Sequence, residues 1–210
     1  MNFDLSDEQR VIRDAVDRLC QRFDAGYWLA RDRDGSFPED FYRAVAAEGW
    51  LGIAMPAQFG GAGLGISEAA LMMLTISASG AGFSGASSVH MNIFGLNPVV
   101  RFGTEAQKRR WLPPMIAGQE KACFAVTEPD AGLDTGRIKT VARRQGDRYV
   151  LRGQKIWTST AQVADRVLIL ARTSEPVTRR TEGLTLFYSA LDRAQIEVRE
   201  IEKMGRKAGD

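Results

Sequence analysis

Apolar residues recur at helical spacing through the first half of the chain. In the clearest stretch, Ser6 and Gln9 have the spacing of a capping box, which predicts a helix that starts directly after Ser6. Ser67 and Thr104 are predicted to start further helices as N-cap residues. The apolar residues on the predicted inner face of the first helix are Val11, Ile12, Ala15, Val16, Leu19, Cys20 and Phe23.

A second capping box predicts another helix further along. Ser36 and Glu39 have the required spacing, and Pro38 suits the first helical turn. This helix is expected to end near Gly49. The residues that it is expected to bury are Phe41, Tyr42, Val45 and Ala46.

A glycine-rich stretch at residues 55–65 interrupts the helical pattern. Glycine occupies positions 60, 61, 63 and 65, which indicates a loop. A phosphate-binding loop is the alternative reading. It is disfavoured because no strand leads into the stretch in the required way and no Lys-Ser/Thr pair follows it.

The pattern changes near Gly118, where short β-rich runs replace long helical ones. Residues 141–144 and 148–151 flank a Gly146-Asp147 turn and predict a hairpin. Further strands are predicted at residues 167–171, 184–188 and 196–198.

Helices followed by strands predict the α+β class. We expect an all-α helical domain over residues 1–119 and a small β-barrel-like or sandwich domain over residues 120–210. Residues 201–210 have the composition of a connection between elements. The chain is therefore expected to be a fragment whose second domain is truncated at its C-terminal end.

The composition narrows the class of protein. The net charge of +2 over 210 residues gives no reason to expect a nucleic-acid partner. Cys20 and Cys123 lie in apolar surroundings and are expected to be buried thiols, and one histidine is too few for a histidine metal site. No apolar run reaches the ~18 residues that span a bilayer, so no integral membrane segment is expected. No signal pattern follows Met1, and a cytoplasmic location is the simplest expectation.

Two segments combine residue types that suit a planar ligand. In residues 123–134 an apolar strand runs into a turn built from Pro129, Asp130 and Gly132, which leaves backbone N–H groups for a phosphate or a heterocycle edge. In residues 153–161, Trp157 is followed by three hydroxyl residues, which suits a flat ring with polar edges. Taken alone, the first segment also fits an ordinary β-turn, and the second also fits a tryptophan buried in the core.

Together the two segments resemble the acyl-CoA dehydrogenase family. The family's Val-Thr-Glu-Pro signature and Ala-Gly turn correspond to residues 124–132, and its Lys-x-Trp-x-Thr/Ser segment corresponds to Lys155, Trp157 and Ser159. Further matches in the expected order lie at residues 37–39, 49–52, 56, 60–63, 103–108 and 112–113.

The resemblance implies FAD, held at the junction of the α and β domains. Thr127 would lie in hydrogen-bond reach of the isoalloxazine ring, Trp157 would cover the opposite face, and Ser159 would lie near the reactive ring nitrogen. Such groups orient the ring and stabilise the charge that appears on reduction. The cofactor-binding residues that the resemblance implies are Phe124, Ala125, Val126, Thr127, Gly132, Leu133, Trp157, Thr158 and Ser159.

The resemblance also implies a reaction. A carboxylate base removes the α-proton of an acyl-CoA thioester, a hydride passes from the β-carbon to the flavin, and an enoyl thioester remains. Electrons leave through electron-transfer flavoprotein or a similar acceptor. Members of the family act in fatty acid metabolism and are usually homotetramers, so a homo-oligomer, tetramer or dimer, is expected.

Two departures from the family pattern affect these expectations. Leu133 replaces the usual serine after the Ala-Gly turn, at a place that touches cofactor or substrate. The loss of one neutral hydrogen bond, roughly 0.5–1.5 kcal/mol, leaves FAD binding possible. The family's base lies beyond residue 210, so no catalytic residue is expected in this chain, and Glu128 is assigned a structural or flavin-proximal place instead.

Two other functions are compatible with the sequence. An acyl-CoA oxidase, or a related flavin oxidase or monooxygenase, uses the same scaffold and differs in how the flavin meets oxygen. A non-catalytic subunit of a heteromeric acyl-CoA dehydrogenase would keep the scaffold to complete a partner's site, and Leu133 together with the short length motivates that reading.

Overall fold

A computed structural model of the chain describes residues 4–176 and 178–201. These residues divide into two units, residues 4–121 and residues 122–201. The first unit is helical and the second is built on a mixed sheet, which confirms the predicted α+β class.

Seven α-helices are found in the described part of the first unit. Short 3₁₀ turns lie at Trp50–Gly52 and Ala57–Phe59, and π-helical turns lie at Ser77–Ala81 and Met91–Gly95. The helices are Asp7–Cys20 (α1), Ala25–Asp34 (α2), Glu39–Ala47 (α3), Ile66–Ile76 (α4), Gly82–His90 (α5), Asn97–Phe102 (α6) and Glu105–Ile116 (α7).

Two of the four predicted helix starts are confirmed. Ser6 caps α1, and its side chain and that of Gln9 complete the reciprocal pair of hydrogen bonds. Thr104 and Gln107 form the same box at the start of α7. Both boxes satisfy backbone N–H groups that have no partner inside the helix.

The other two predicted starts are wrong. The N-cap of α3 is Pro38, and the backbone N–H and hydroxyl of Ser36 instead donate to the Asp34 carboxylate. Ser67 lies inside α4, which begins after Gly65. Ser36 therefore hydrogen-bonds to a nearby carboxylate instead of capping the helix. The spacing of Ser36 and Glu39 alone does not reveal this competing interaction.

The core of the helical unit is formed largely by the apolar faces predicted above. Ile12, Val16, Leu19 and Cys20 are buried on α1, whereas Val11 is 66% exposed. The predicted inner residues of α3 are also in place, because Phe41, Tyr42 and Val45 are buried. Four aromatic rings pack edge to face at this point, with centroids about 5 Å apart. They belong to Phe23, Tyr27, Trp28 and Phe41.

Both cysteines are free thiols buried in the fold, as predicted. Cys123 is 2% exposed, and burial raises the pKa of its thiol to about 12, an effect that the charge of Arg193 partly opposes. A thiol held in this way stays protonated and acts as a small apolar side chain.

The glycine-rich stretch folds back on itself. Every backbone N–H from position 60 to position 65 donates to an acceptor inside the helical unit, at 2.8–3.2 Å. At Gly61 a Cβ atom would lie 2.1 Å from the Met55 carbonyl oxygen, which explains the glycine there. With these donors engaged, residues 60–65 have no backbone N–H left for a phosphate, so the ordinary loop reading is correct.

The helical stretch Ile66–Phe102 is long and apolar enough, by length and composition, to cross a membrane. Its most apolar window has a mean hydropathy of 1.3, and 39% of that window is buried. Core helices of globular proteins meet the same criteria. Ala69, Met72 and Ile76 pack in the helical core, and Gly80 breaks the helix with φ 98°. We therefore interpret the stretch as part of the core of this unit.

The second unit contains a five-stranded mixed sheet. Its central strand, β4, pairs antiparallel with β5 and parallel with β1 and, at one residue, with β2, which forms a hairpin with β3. The strands are Ala122–Ala125 (β1), Val141–Gln145 (β2), Arg148–Arg152 (β3), Arg166–Arg172 (β4) and Leu184–Ala190 (β5).

The predicted hairpin and two of the predicted strands are confirmed as β2–β3, β4 and β5. The strand predicted at residues 196–198 is wrong. The N–H of Ile196 donates to the Asp192 carbonyl within a turn, and the side chains of Ile196 and Val198 pack against the sheet core from irregular chain. The sheet is curved, since Tyr149 on β3 contacts Phe187 on β5 at 5.1 Å, but it does not close into a barrel.

We expect Ser6→Ala to lower the free energy of unfolding by about 1 kcal/mol, because the Gln9 N–H loses its acceptor at the start of α1. Urea denaturation followed by circular dichroism measures the change. Ser67→Ala is the matched control, since Ser67 lies inside α4 and caps nothing. Equal losses in the two variants would contradict the assignment of the cap.

Candidate functional site

The chain turns a tight corner directly after β1. Val126 and Thr127 leave the sheet, and Glu128 and Ala131 exchange backbone hydrogen bonds of 3.0 and 3.1 Å. The turn between them consists of the predicted Pro129 and Asp130, whereas Gly132, also predicted in the turn, lies just after Ala131. Backbone hydrogen bonds therefore close the turn at this corner.

The Glu128 carboxylate is the anchor of this corner. Its side chain is 5% exposed. It accepts hydrogen bonds from the Lys139 N–H at 2.6 Å, from the Thr140 N–H at 2.9 Å, from the Thr140 hydroxyl and from the Lys155 ammonium at 2.9 Å. Burial alone would raise the pKa of Glu128, but these hydrogen bonds outweigh it and lower the pKa to about 2. Glu128 is thus a structural carboxylate that is ionised at neutral pH.

Lys155 joins the second predicted segment to this corner. Its ammonium donates to the Val126 carbonyl at 3.0 Å as well as to Glu128, and the N–H of Ile156 donates to the Thr127 carbonyl at 2.9 Å. Burial lowers the pKa of Lys155, and the Glu128 carboxylate opposes that effect. The two segments that the sequence singled out are therefore bound side by side.

Gly153 permits this close approach. A Cβ atom at this position would lie 2.2 Å from the Thr140 hydroxyl oxygen and 2.7 Å from the Thr140 Cα. Both distances are far below van der Waals contact, so no larger residue fits without moving the backbone. The glycine lets the chain pass Thr140 and deliver Lys155 to Glu128 two residues later.

The segment after Lys155 has an unusual backbone. Trp157 has φ 60° and Thr160 has φ 70°, the only non-glycine residues with positive φ in the described chain. Such conformations cost of order 1–3 kcal/mol each and persist where the surroundings hold them. Trp157 is 59% exposed, so this geometry presents its indole outward. A strained backbone that displays a large aromatic ring is typical of a binding site.

Several hydrogen-bond donors belong to the corner and to the segment that carries this ring. Within the described residues, no partner is found for the N–H groups of Val126 and Thr127 or for the hydroxyls of Thr127 and Thr158. Groups of this kind match the polar edge of a heterocycle, and the indole matches its flat face. The arrangement suits a planar ring with acceptor atoms along one side.

The predicted site residues fall into four places. Phe124 is half-buried and Ala125 is buried in β1, where the Ala125 side chain packs in the sheet core. Val126 and Thr127 lie at the corner, and Trp157, Thr158 and Ser159 lie beside it. The other two residues, Gly132 and Leu133, are exposed in the loop beyond the turn, and Leu133 is fully exposed.

The residues that assemble the site were the ones that sequence reasoning missed. Lys155 was noted only as a motif position, and Thr140 and Gly153 received no role. Glu128 and Lys155 are 27 residues apart and lie on separate elements, so no local spacing reveals the pair. The signal available was a single glycine, Gly153, placed two residues before the lysine that enters a hydroxyl-rich segment.

Two protein-family models match the chain. The model for "Acyl-CoA dehydrogenase, N-terminal domain" matches residues 6–119, and that for "Acyl-CoA dehydrogenase, middle domain" matches residues 123–210. The chain belongs to the acyl-CoA dehydrogenase family. The enzymes of this family are FAD-dependent oxidoreductases. The resemblance noted in the sequence is therefore confirmed.

Individual relatives agree with this assignment. The chain is 35% identical to mitochondrial isovaleryl-CoA dehydrogenase of Pongo abelii over 185 residues, 87% of the chain and 44% of that protein. It is 34% identical to benzylmalonyl-CoA dehydrogenase of Aromatoleum aromaticum over 206 residues, 98% of the chain and 53% of that protein. The chain thus spans about half the length of these relatives.

A solved structure supports the fold and the cofactor class. The FAD complex of PigA superposes with a TM-score of 0.82 at 26% identity, covering 90% of this chain and 49% of that one. The N–H donors at Val126 and Thr127 and the exposed indole of Trp157 are groups of the kinds that suit a flat heterocycle such as the flavin of FAD. The described part of the chain contains no cluster of three or more His, Cys, Asp or Glu side chains that could hold a metal ion.

We expect Glu128→Gln to destabilise the protein by about 3–5 kcal/mol, because the Lys155 charge is left buried without its partner. The double variant Glu128→Gln/Lys155→Met removes both charges and should recover part of this loss. Urea unfolding of the two variants provides the comparison. A double variant as unstable as Glu128→Gln would contradict the ion-pair assignment.

The same carboxylate predicts a pH dependence. The pKa of Glu128 is lowered from 4.5 to about 2 on folding. The unfolded state therefore binds the proton more tightly, and the stabilisation, roughly 3 kcal/mol, is present above about pH 4.5 and lost as the pH falls toward 2. The gap in unfolding free energy between wild type and Glu128→Gln should narrow over that range. A gap that is constant with pH would contradict this role.

We expect Gly153→Ala to destabilise the sheet unit by more than about 1 kcal/mol, because the added methyl group overlaps Thr140. Gly132→Ala is the control, since a Cβ at Gly132 meets nothing within 4 Å. The comparison uses the urea midpoint of each variant. Similar midpoints for the two variants would show that the chain does not pass close to Thr140.

Proposed function

We propose that this protein takes part in the flavin-dependent α,β-dehydrogenation of acyl-CoA thioesters, with the electrons passed to an external acceptor. One observation carries the proposal: Lys155 and Ile156 bind the segment that presents Trp157 directly to the corner at Val126 and Thr127. The result is a flat aromatic surface close to hydrogen-bond donors in a domain of the acyl-CoA dehydrogenase family. The identity of the relatives supports the reaction class.

The residues of the corner would hold the isoalloxazine ring of FAD. The N–H and hydroxyl of Thr127 would donate to its polar edge, Trp157 would cover one face, and Phe124 and Val126 would border it. The Ser159 hydroxyl would lie near the reactive ring nitrogen. When bound, FAD supplies the acceptor for the hydride of the substrate β-carbon. Because the donors are part of a rigid backbone corner, they need little reorganisation as charge develops on the ring.

Glu128 is not proposed as the catalytic base. Its pKa of about 2 makes it a weak base, and four donors already occupy its carboxylate. The base that removes the α-proton is proposed to lie in the part of the protein outside these 210 residues. Glu128 acts instead by holding the corner in shape.

Leu133 is proposed to contact the substrate. It is fully exposed on the loop that follows the Glu128–Ala131 turn, so its apolar side chain is available to a ligand. At the place where the family usually has serine, it offers an apolar surface and only its backbone N–H as a donor. We therefore expect Leu133 to affect substrate choice more than FAD affinity.

The remaining expectations from the sequence stay predictions. They comprise an acyl-CoA substrate, electron-transfer flavoprotein or a similar acceptor, assembly as a homo-oligomer and a cytoplasmic location. The acyl group is left open by the relatives, which are named for isovaleryl-CoA and benzylmalonyl-CoA.

The intact protein should be yellow as purified or after addition of FAD, and an acyl-CoA substrate should bleach the flavin absorption in the absence of air. Trp157→Ala should weaken FAD binding by roughly tenfold and shift the flavin absorption bands, because one face of the ring loses its cover. Tyr149→Ala is the control, an exposed aromatic of the same unit that lies outside both segments. FAD titrations followed by absorbance measure both variants.

Other outcomes would favour other functions. A protein that remains colourless with added FAD would favour a non-catalytic subunit. Prompt formation of peroxide on mixing with acyl-CoA under air would favour an oxidase. A folded Trp157→Ala variant with unchanged FAD affinity and spectrum would contradict the placement of the indole.

A further inference from the structure

The turn that follows Trp157 contains strain that its own side chains do not offset. Thr160 is β-branched, has φ 70° and is 3% exposed. Its hydroxyl has no hydrogen-bond partner within the described residues. A β-branched residue rarely adopts positive φ, so something outside the turn has to hold this backbone in place.

Arg193 contacts the turn in a way that can hold its backbone in place. One guanidinium nitrogen, Nη2, shares its two N–H groups among the carbonyl oxygens of Ala161 at 2.7 Å, Gln162 at 3.0 Å and Ala164 at 3.3 Å. Ala161 and Ala164 are buried, so their carbonyls would otherwise lack a donor at considerable cost. A single side chain thus gathers the carbonyls of the turn, as a C-terminal cap does for a helix.

Arg193 is itself held by a well-formed turn. The Asp192 carboxylate accepts hydrogen bonds from the Ala194 N–H and the Gln195 side chain, both at 2.9 Å. The Asp192 carbonyl accepts the N–H groups of Gln195 and Ile196. The guanidinium therefore projects from a fixed backbone, about 30 residues along the chain from the turn that it caps.

We propose that Arg193 is a positioning residue that holds the turn after Trp157 and thereby keeps the indole in its presented conformation. The inference rests on the proposed function, because it assigns Arg193 an effect on FAD through Trp157. Arg193 touches neither reacting atoms nor cofactor in this view. Its contribution is to order residues 158–164 before the flavin binds.

The test replaces Arg193 in the intact protein and observes Trp157 directly. Arg193→Met keeps an unbranched side chain and removes the donors, and Arg193→Lys keeps the charge on a side chain that is one bond shorter and lacks the planar guanidinium. Arg199→Met is the matched control, an exposed arginine that forms an ion pair with Glu197 at 2.7 Å. Since the chain has four tryptophans, the signal of Trp157 is taken as the difference in emission between each variant and the same variant with Trp157→Phe.

In the FAD-free protein, we expect Arg193→Met to change the Trp157 emission maximum and its quenching by acrylamide, and Arg199→Met to leave both unchanged. In FAD titrations we expect roughly tenfold weaker binding for Arg193→Met and an intermediate loss for Arg193→Lys. If Arg193→Met does not fold, Arg193→Lys decides by the same two measurements.

The outcomes separate this inference from the proposed function. An unchanged Trp157 signal in a folded Arg193 variant, or an equal change in Arg199→Met, would overturn the role of Arg193. A changed Trp157 signal with unchanged FAD affinity would support the ordering of the turn by Arg193 and would contradict the placement of Trp157 against the flavin.

Discussion

Glu128 lies buried behind the corner that follows β1, and its carboxylate holds three separate stretches of the chain together. It accepts backbone N–H groups at Lys139 and Thr140, and it pairs with the Lys155 ammonium. A buried carboxylate is tolerated only when its lone pairs are used, and here they are. The ion pair is therefore better understood as a specifier of geometry than as a source of stability. It determines which segment lies beside Val126 and Thr127.

The consequences of that pairing extend to the surface of the sheet unit. Because Lys155 and Ile156 are bound to the corner, Trp157 emerges at a defined position with a left-handed backbone. Strain at one residue has to be offset by contacts elsewhere. Two cationic side chains with separate partners, Lys155 before the indole and Arg193 after it, supply such contacts. A ring presented in this way is preorganised for a flat ligand, which lowers the entropic cost of binding it.

The sequence predicted those features that depend on neighbouring residues. The capping boxes at Ser6 and Thr104 and the hairpin around Gly146 use only local hydrogen bonds, and all three are present. The predicted cap at Ser36 is wrong because Ser36 donates to the Asp34 carboxylate instead. The strand predicted near Ile196 is wrong because the Ile196 N–H donates to a carbonyl within a turn.

For the candidate site, too, local features were predicted from the sequence and long-range contacts were not. Its two segments were recognised from residue types and family resemblance, but the contacts that join them cross 27 or more residues. Tertiary contacts of this kind produce no regular residue spacing, so the sequence does not predict them. The contact of Arg193 with the turn after Trp157 is another example. The positive φ of Trp157 and Thr160 could not be predicted either, since neither is a residue type that favours it.

A crystal structure of the intact protein with FAD bound tests the central claim most directly. The account predicts one isoalloxazine ring that contacts the Trp157 indole and accepts a hydrogen bond from Thr127; a flavin that meets only one of the two, or neither, would contradict it.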